Sequence, residues 1–384
     1  MHRPLIALAG ALAITAPLVA CTDNDPDAGA AGPISVVSTS SECKLSSTEV
    51  PSGNLLFKVK NEGSQVTEFY LLGEDGLSVV GEIENIGPGA TRNLVVQAHQ
   101  GKYVTACKPG MVGKGIRGEF TVTKGEDVTV SADIADLIDT ATKQYGLYVK
   151  DQTEQLVEGT QQFVAAYKAG DDDKARSLYA PVRMHWERIE PVAESFGTLD
   201  PKLDLREADL EEGQTWTGWH RIEKDLWPPA NGYTAMTDAE RTKIADQLMA
   251  DTNSLRSLVA KKTYKAQDLS NGARELLDEV ASGKVTGEEE FWSHTDLWDF
   301  QANVDGARIA FTDLRPAVEK KDKALAATLD RRFTELQKLL DQHKEGDGWV
   351  LYDKLTKDQV KELSDSVNAL SEPLSQLTAA LVNK

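Results

Sequence analysis

Leu178-Tyr179-Ala180-Pro181-Val182-Arg183-Met184-His185-Trp186-Glu187-Arg188-Ile189-Glu190 places apolar residues at 178, 182, 186 and 189. Steps of three and four residues gather those side chains on one stripe of an α-helix. Phe163 and Tyr167 keep the same step, as do Leu325, Leu329, Phe333, Leu336 and Leu340. Residues 135–384 therefore read as an all-helical domain of seven or eight helices, enough for one or two antiparallel bundles. Capping boxes are expected at Thr237 with Glu240, Thr286 with Glu289 and Thr356 with Gln359, where hydroxyl and carboxylate or amide satisfy each other's orphan backbone amides.

Upstream the period changes. Short runs at Ile34 to Val37, Leu55 to Val59, Thr67 to Leu72, Leu94 to Val96, Tyr103 to Thr105, Glu119 to Val122 and Val128 to Val130 are parted by Pro51-Ser52-Gly53, Asn61-Glu62-Gly63, Gly87-Pro88-Gly89 and Lys124-Gly125. Strands at this spacing over residues 34–134 predict a small antiparallel β-sandwich.

Residues 1–20 have the form of a secretory signal, and Leu18-Val19-Ala20-Cys21 reads as a lipobox. Cys21 would carry the lipid, with ordinary cleavage after Ala20 as the alternative, and residues 21–33 form a flexible linker of small and polar residues. Nothing later approaches the roughly 20 apolar residues of a membrane-spanning helix. The expected location is extracytoplasmic, anchored to the cell membrane. Acidic residues outnumber basic ones 61 to 42, which disfavours nucleic acid and favours cations.

Trp216-Thr217-Gly218-Trp219-His220-Arg221-Ile222-Glu223 puts an imidazole and a carboxylate three positions apart, neighbours on a helix that can converge on one ion. Glu187 and Glu190 repeat that spacing, and Asp204 lies in the polar connection between the two segments. Oxygen-rich ligation with one imidazole suits iron, manganese or zinc better than copper(I). His294, Asp296 and Asp299 crowd a third, aromatic-rich segment, either as outer partners of a site or as a buried polar network. In the sandwich, Cys43 and Cys107 are a bridge or, with Glu68, a second metal site. Cys107 with Met111 has the outline of a copper ligand loop, but Lys108-Pro109-Gly110 follows Cys107 where a histidine is needed.

His185 to Pro191, Gly218 to Lys224 and His294 to Asn303 resemble the EfeO branch of the imelysin-like proteins. The resemblance spans essentially the whole mature chain. It implies a cupredoxin-like domain followed by paired helix bundles, and capture of ferric or ferrous iron for uptake. It implies as partners an EfeU-type membrane iron permease and an EfeB-type haem peroxidase. It lays the family's metal motif on His220 and Glu223 with Glu187, Glu190 and Asp204, and a further site, for copper or another metal, on Cys43, Cys107 and Glu68. Two other functions compete with this one: an imelysin-type metallopeptidase and a non-catalytic surface-binding module. The first lacks a His-Glu-x-x-His run, which would supply two zinc ligands and a base.

Overall fold

The computed structural model describes residues 31–382 apart from 75, 78, 126–131 and 211. The signal segment, Cys21, most of the linker and the run Val128 to Val130 lie outside the described residues.

Among the described residues nine strands precede the first helix: β1 (Pro33–Ser38), β2 (Cys43–Leu45), β3 (Glu49–Pro51), β4 (Gly53–Asn61), β5 (Thr67–Leu72), β6 (Val79–Ile86), β7 (Thr91–Ala98), β8 (Gly101–Cys107) and β9 (Ile116–Thr123). They form two sheets, ordered β2-β1-β4-β7 and β3-β9-β8-β5-β6. The sheets are mixed rather than wholly antiparallel, because β1 runs parallel to β4 and β3 parallel to β9. Between them lies one core, in which Phe57 packs at 5.1 Å from Phe69 and 5.6 Å from Phe120. Every residue of β5 is buried. One of its faces fills that core, and Tyr70 and Leu72 on the other line a cavity shared with Gly197, Thr198 and Pro201 of the helical domain.

The cysteines close this sandwich. Cys43 and Cys107 are bonded to each other across 64 residues, so the thiolate alternative is corrected: no thiolate is left for copper or another metal. Glu68 is buried separately and accepts from the Tyr70 hydroxyl at 2.9 Å.

Ten α-helices follow among the described residues: α1 (Ala132–Lys168), α2 (Asp172–Glu187), α3 (Leu199–Asp204), α4 (Trp219–Leu226), α5 (Asp238–Val259), α6 (Ala266–Ser282), α7 (Asp296–Lys321), α8 (Lys323–Leu340), α9 (Lys357–Leu374) and α10 (Leu377–Val382). α1 packs on α2 and α5, while α6, α8 and α9 gather on the far side; α7 touches α1 and α2 as well as α6 and α8, so it joins the two groups. One continuous apolar core runs through both. Capping boxes form at Thr237 with Glu240 and at Thr356 with Gln359. The third expected box does not form: Thr286 ends a 3-10 turn (Lys284–Thr286), and the Glu289 side chain turns inward.

The two domains meet along α6. Arg274 Nη2 donates to Glu82 O at 2.7 Å, Gln97 N donates to Gln267 Oε1 at 2.6 Å, and Arg92 pairs with Asp278 at 3.0 Å.

Candidate metal centre

Gly218 fixes the start of the helix that carries His220. Its φ is 89°, and a Cβ there would meet Leu203 O at 2.1 Å, so only glycine permits α4 to press its first turn onto the end of α3. That contact brings His220 to Asp204: His220 Nε2 lies 3.3 Å from Asp204 Oδ1. On the other side of the ring, Nδ1 lies 3.2 Å from Glu223 Oε2, as the three-residue spacing predicts. Glu223 is itself held, because its Oε1 accepts from Trp292 N at 2.9 Å and Ser293 N at 2.7 Å.

The same loop supplies two carboxylates that sequence reasoning missed. Glu289 Oε1 is 3.5 Å from His220 Nε2, and Glu290 accepts from Ser293 Oγ at 2.8 Å. Two groups among the described residues bring their ligand atoms within 4.8 Å of one another: Asp204, His220 and Glu289, and His220, Glu223 and Glu290. The available signal is the run Glu288-Glu289-Glu290 just before the aromatic segment, but Thr286 three residues earlier makes Glu289 read as part of a helix cap.

Glu187 and Glu190 enter the same chamber without reaching His220. Glu187 ends α2, and Glu190 opens the 3-10 segment Glu190–Phe196. Lys284 Nζ holds them, at 2.9 Å from Glu187 Oε2 and 2.7 Å from Glu190 Oε1. Arg183, wholly buried, pairs with Glu187 and Asp204 and lies 2.6 Å from Glu290 through Nε. Asp299 is 3.7 Å from the same Nε, and Asp296 Oδ1 accepts from Glu290 N at 3.1 Å. His294 stands apart, its carbonyl accepting from Tyr352 N and its φ at 58°.

The charge states follow from the packing. Burial and Arg183 work to lower the His220 pKa, but hydrogen bonds to Asp204, Glu223 and Glu289 outweigh them and raise it well above the ordinary value. Burial works to raise Asp204, yet Arg183 and His220 hold it well below the usual carboxylate range. Glu289 falls to about 2 because Lys284, His220 and Arg206 overcome its burial. Burial, with Glu223 alongside, pushes Glu290 up to about 8. Burial also raises Asp299 strongly, and raises Asp296 to about 7.

A cavity of about 210 Å³ opens onto this chamber from the domain junction. Glu82 and Glu84 of β6, Glu275 and Glu279 of α6, and Asp200 line it, and Glu190, Asp204 and Glu289 form its inner wall. Burial and mutual repulsion raise the pKa of Glu84 well above the ordinary range.

A small disulfide-closed sandwich docked on a helical domain with a buried carboxylate-and-histidine centre defines the class of protein. The imelysin family profile matches residues 141–377. The chain belongs to the imelysin family, in its EfeO group. It is 38% identical over 343 residues to the iron uptake system component EfeO of Yersinia pseudotuberculosis, covering 88% of each chain. It is 36% identical over 354 residues to the protein of the same name from Escherichia coli O1:K1, covering 91% of each. An Efem/EfeO family lipoprotein of Staphylococcus haemolyticus is 45% identical over 240 residues, 62% of this chain and 82% of that protein.

Proposed function

We propose that the protein is an extracytoplasmic, lipid-anchored iron-binding protein that captures iron in the chamber around His220 and passes it to a membrane permease. The carrying observation is the buried imidazole set between carboxylates on both ring nitrogens. An ion is best received at Nε2. This atom faces Asp204 and Glu289 at 3.3 and 3.5 Å, both of which line the cavity that leads outward, and Nδ1 is engaged by Glu223. A carboxylate behind a ligating histidine fixes its ring and tautomer, which gives Glu223 an orienting role. Acidic walls concentrate cations at such an opening, and hard oxygen ligands suit ferric iron while the imidazole also accepts ferrous iron.

Names of relatives support iron as the cargo, since two are called iron uptake system components. The name of a third supports lipidation at Cys21. An EfeU-type permease and an EfeB-type haem peroxidase are the partners this reading calls for. Calorimetric titration with Fe²⁺ under anaerobic conditions and with ferric citrate tests it. Wild type should bind, His220→Ala should not, and Glu223→Gln should bind about 10- to 100-fold more weakly. Equal binding by all three would refute the site. Cleavage of a denatured protein substrate, lost in Glu223→Ala, would favour the peptidase reading instead.

A further inference from the structure

Lys284 is one of the few lysines that a folded protein buries completely: it is 2% exposed. Its ammonium lies 2.7 and 2.8 Å from the two oxygens of Glu190, 2.9 Å from Glu187 Oε2 and 3.9 Å from Glu289 Oε1. Asn303 Nδ2 holds the same two glutamates from behind, at 2.9 Å from Glu187 Oε2 and 2.6 Å from Glu190 Oε2. Three carboxylates around one small, hard, positive centre is the donor set that binds a divalent ion in oxygen sites. Glu289 sits between two such centres, with Oε1 3.5 Å from His220 Nε2 and 3.9 Å from Lys284 Nζ. A carboxylate in that place can bridge two cations.

We infer that the Lys284 ammonium occupies the second cation position of the chamber as a tethered ion, and so limits the protein to one metal ion per chain. The inference rests on the reading of His220 as a metal ligand. It explains why Glu187 and Glu190, which have the spacing of ligands, stand beside the His220 cluster rather than within it. A tethered cation is always present and needs no loading, so the carboxylates are neutralised before any metal arrives and after it has left. A carrier that must release its cargo gains from that, because the empty chamber does not have to hold its glutamates unpaired.

The test counts ions. Wild type, Lys284→Ala and Lys284→Gln, as whole chains, are titrated with Mn²⁺ at neutral pH, and bound metal is measured after gel filtration. Wild type should hold one ion and Lys284→Ala two. Ethylammonium added to Lys284→Ala should return the count to one, because it refills the vacated position without competing at His220. Lys284→Gln repeats the count should the alanine variant fail to fold, and for a variant that folds only with cation supplied, the Mn²⁺ dependence of its thermal midpoint gives the same number. One ion in either folded variant, or two in wild type, overturns the inference. No ion in wild type would instead refute the metal reading of His220, and the two failures are thereby separate.

Discussion

Raising the pH should weaken the empty protein and tighten its hold on metal, and His220 is the reason. Its folded pKa is raised well above 6.5 by the carboxylates around it. A group with a raised folded pKa contributes stability that is full below its unfolded pKa and is lost as the pH climbs through the folded one. The buried carboxyl of Glu290, raised from 4.5 to about 8, has the same sign: the folded state favours its protonated form, so stability falls between those values. The empty protein should therefore lose thermal stability from about pH 5 to pH 8. Metal binding at His220 Nε2 must expel the proton from that nitrogen. One proton exchanged for one ion makes affinity rise about tenfold, or roughly 1.4 kcal/mol, per pH unit while His220 remains protonated in the empty state. Scanning calorimetry across that range, with and without Mn²⁺, reads the stabilities. Titration in two buffers of different ionisation enthalpy reads the protons. An affinity independent of pH, with no proton released, would refute the placement of the ion on His220.

Three further outcomes follow from the packing. Arg183→Met leaves Glu187, Asp204 and Glu290 without their shared guanidinium; breaking a buried pair from one side costs about 3 to 5 kcal/mol, to be read from urea unfolding, and added Mn²⁺ should recover part of it. Replacing Cys43 and Cys107 together by serine opens a closure of 64 residues, worth about 4 kcal/mol by chain entropy, and should lower the unfolding midpoint of the sandwich while leaving metal stoichiometry intact. Glu84→Lys places a positive charge in the acidic lining of the cavity; stopped-flow mixing with Mn²⁺ should show association about tenfold slower at low salt, and the difference should shrink at high salt.

Periodicity exposed the fold wherever one face of an element is dry. The expected strand Thr67 to Leu72 has the bounds of β5, and the stripe from Leu178 to Ile189 lies on α2 and the turn after it. β6 escaped, because Gly81, Glu82, Glu84 and Asn85 interrupt its apolar pattern, and they do so where the strand faces α6 and the acidic cavity. At the centre, His220 with Glu223 was legible since three residues on a helix are neighbours in space. Glu289 is not local to His220, and Thr286 three residues before it offered a convincing but unused cap. Arg183 and Lys284 had no signal at all, for nothing in their surroundings in sequence distinguishes a lysine that will face three carboxylates from one that will face water. The two cysteines could not be assigned from spacing, since a bridge and a ligand pair place the same demand on sequence.

The balance of charge in the chamber makes a last prediction about the ion's valence. Seven carboxylates, Glu187, Glu190, Asp204, Glu223, Glu289, Glu290 and Asp299, are set among the cationic groups Arg183, Arg206, His220 and Lys284. Burial raises Glu190 and Asp299 well above the ordinary range and Glu290 to about 8, so the chamber favours holding protons on these carboxyls. A divalent ion that displaces the His220 proton adds one net positive charge to the chamber. A trivalent ion that does so adds two, and the readiest compensation is ionisation of Glu290, which lies 2.6 Å from Arg183 Nε and whose pKa is close enough to neutrality to be pulled down. Mn²⁺ should then release about one proton and Ga³⁺, a redox-inert stand-in for ferric iron, about two. Glu290→Gln should return the Ga³⁺ count to one and weaken Ga³⁺ more than Mn²⁺. Equal counts for the two ions in wild type would mean that the chamber does not adjust its protons to the charge of its cargo.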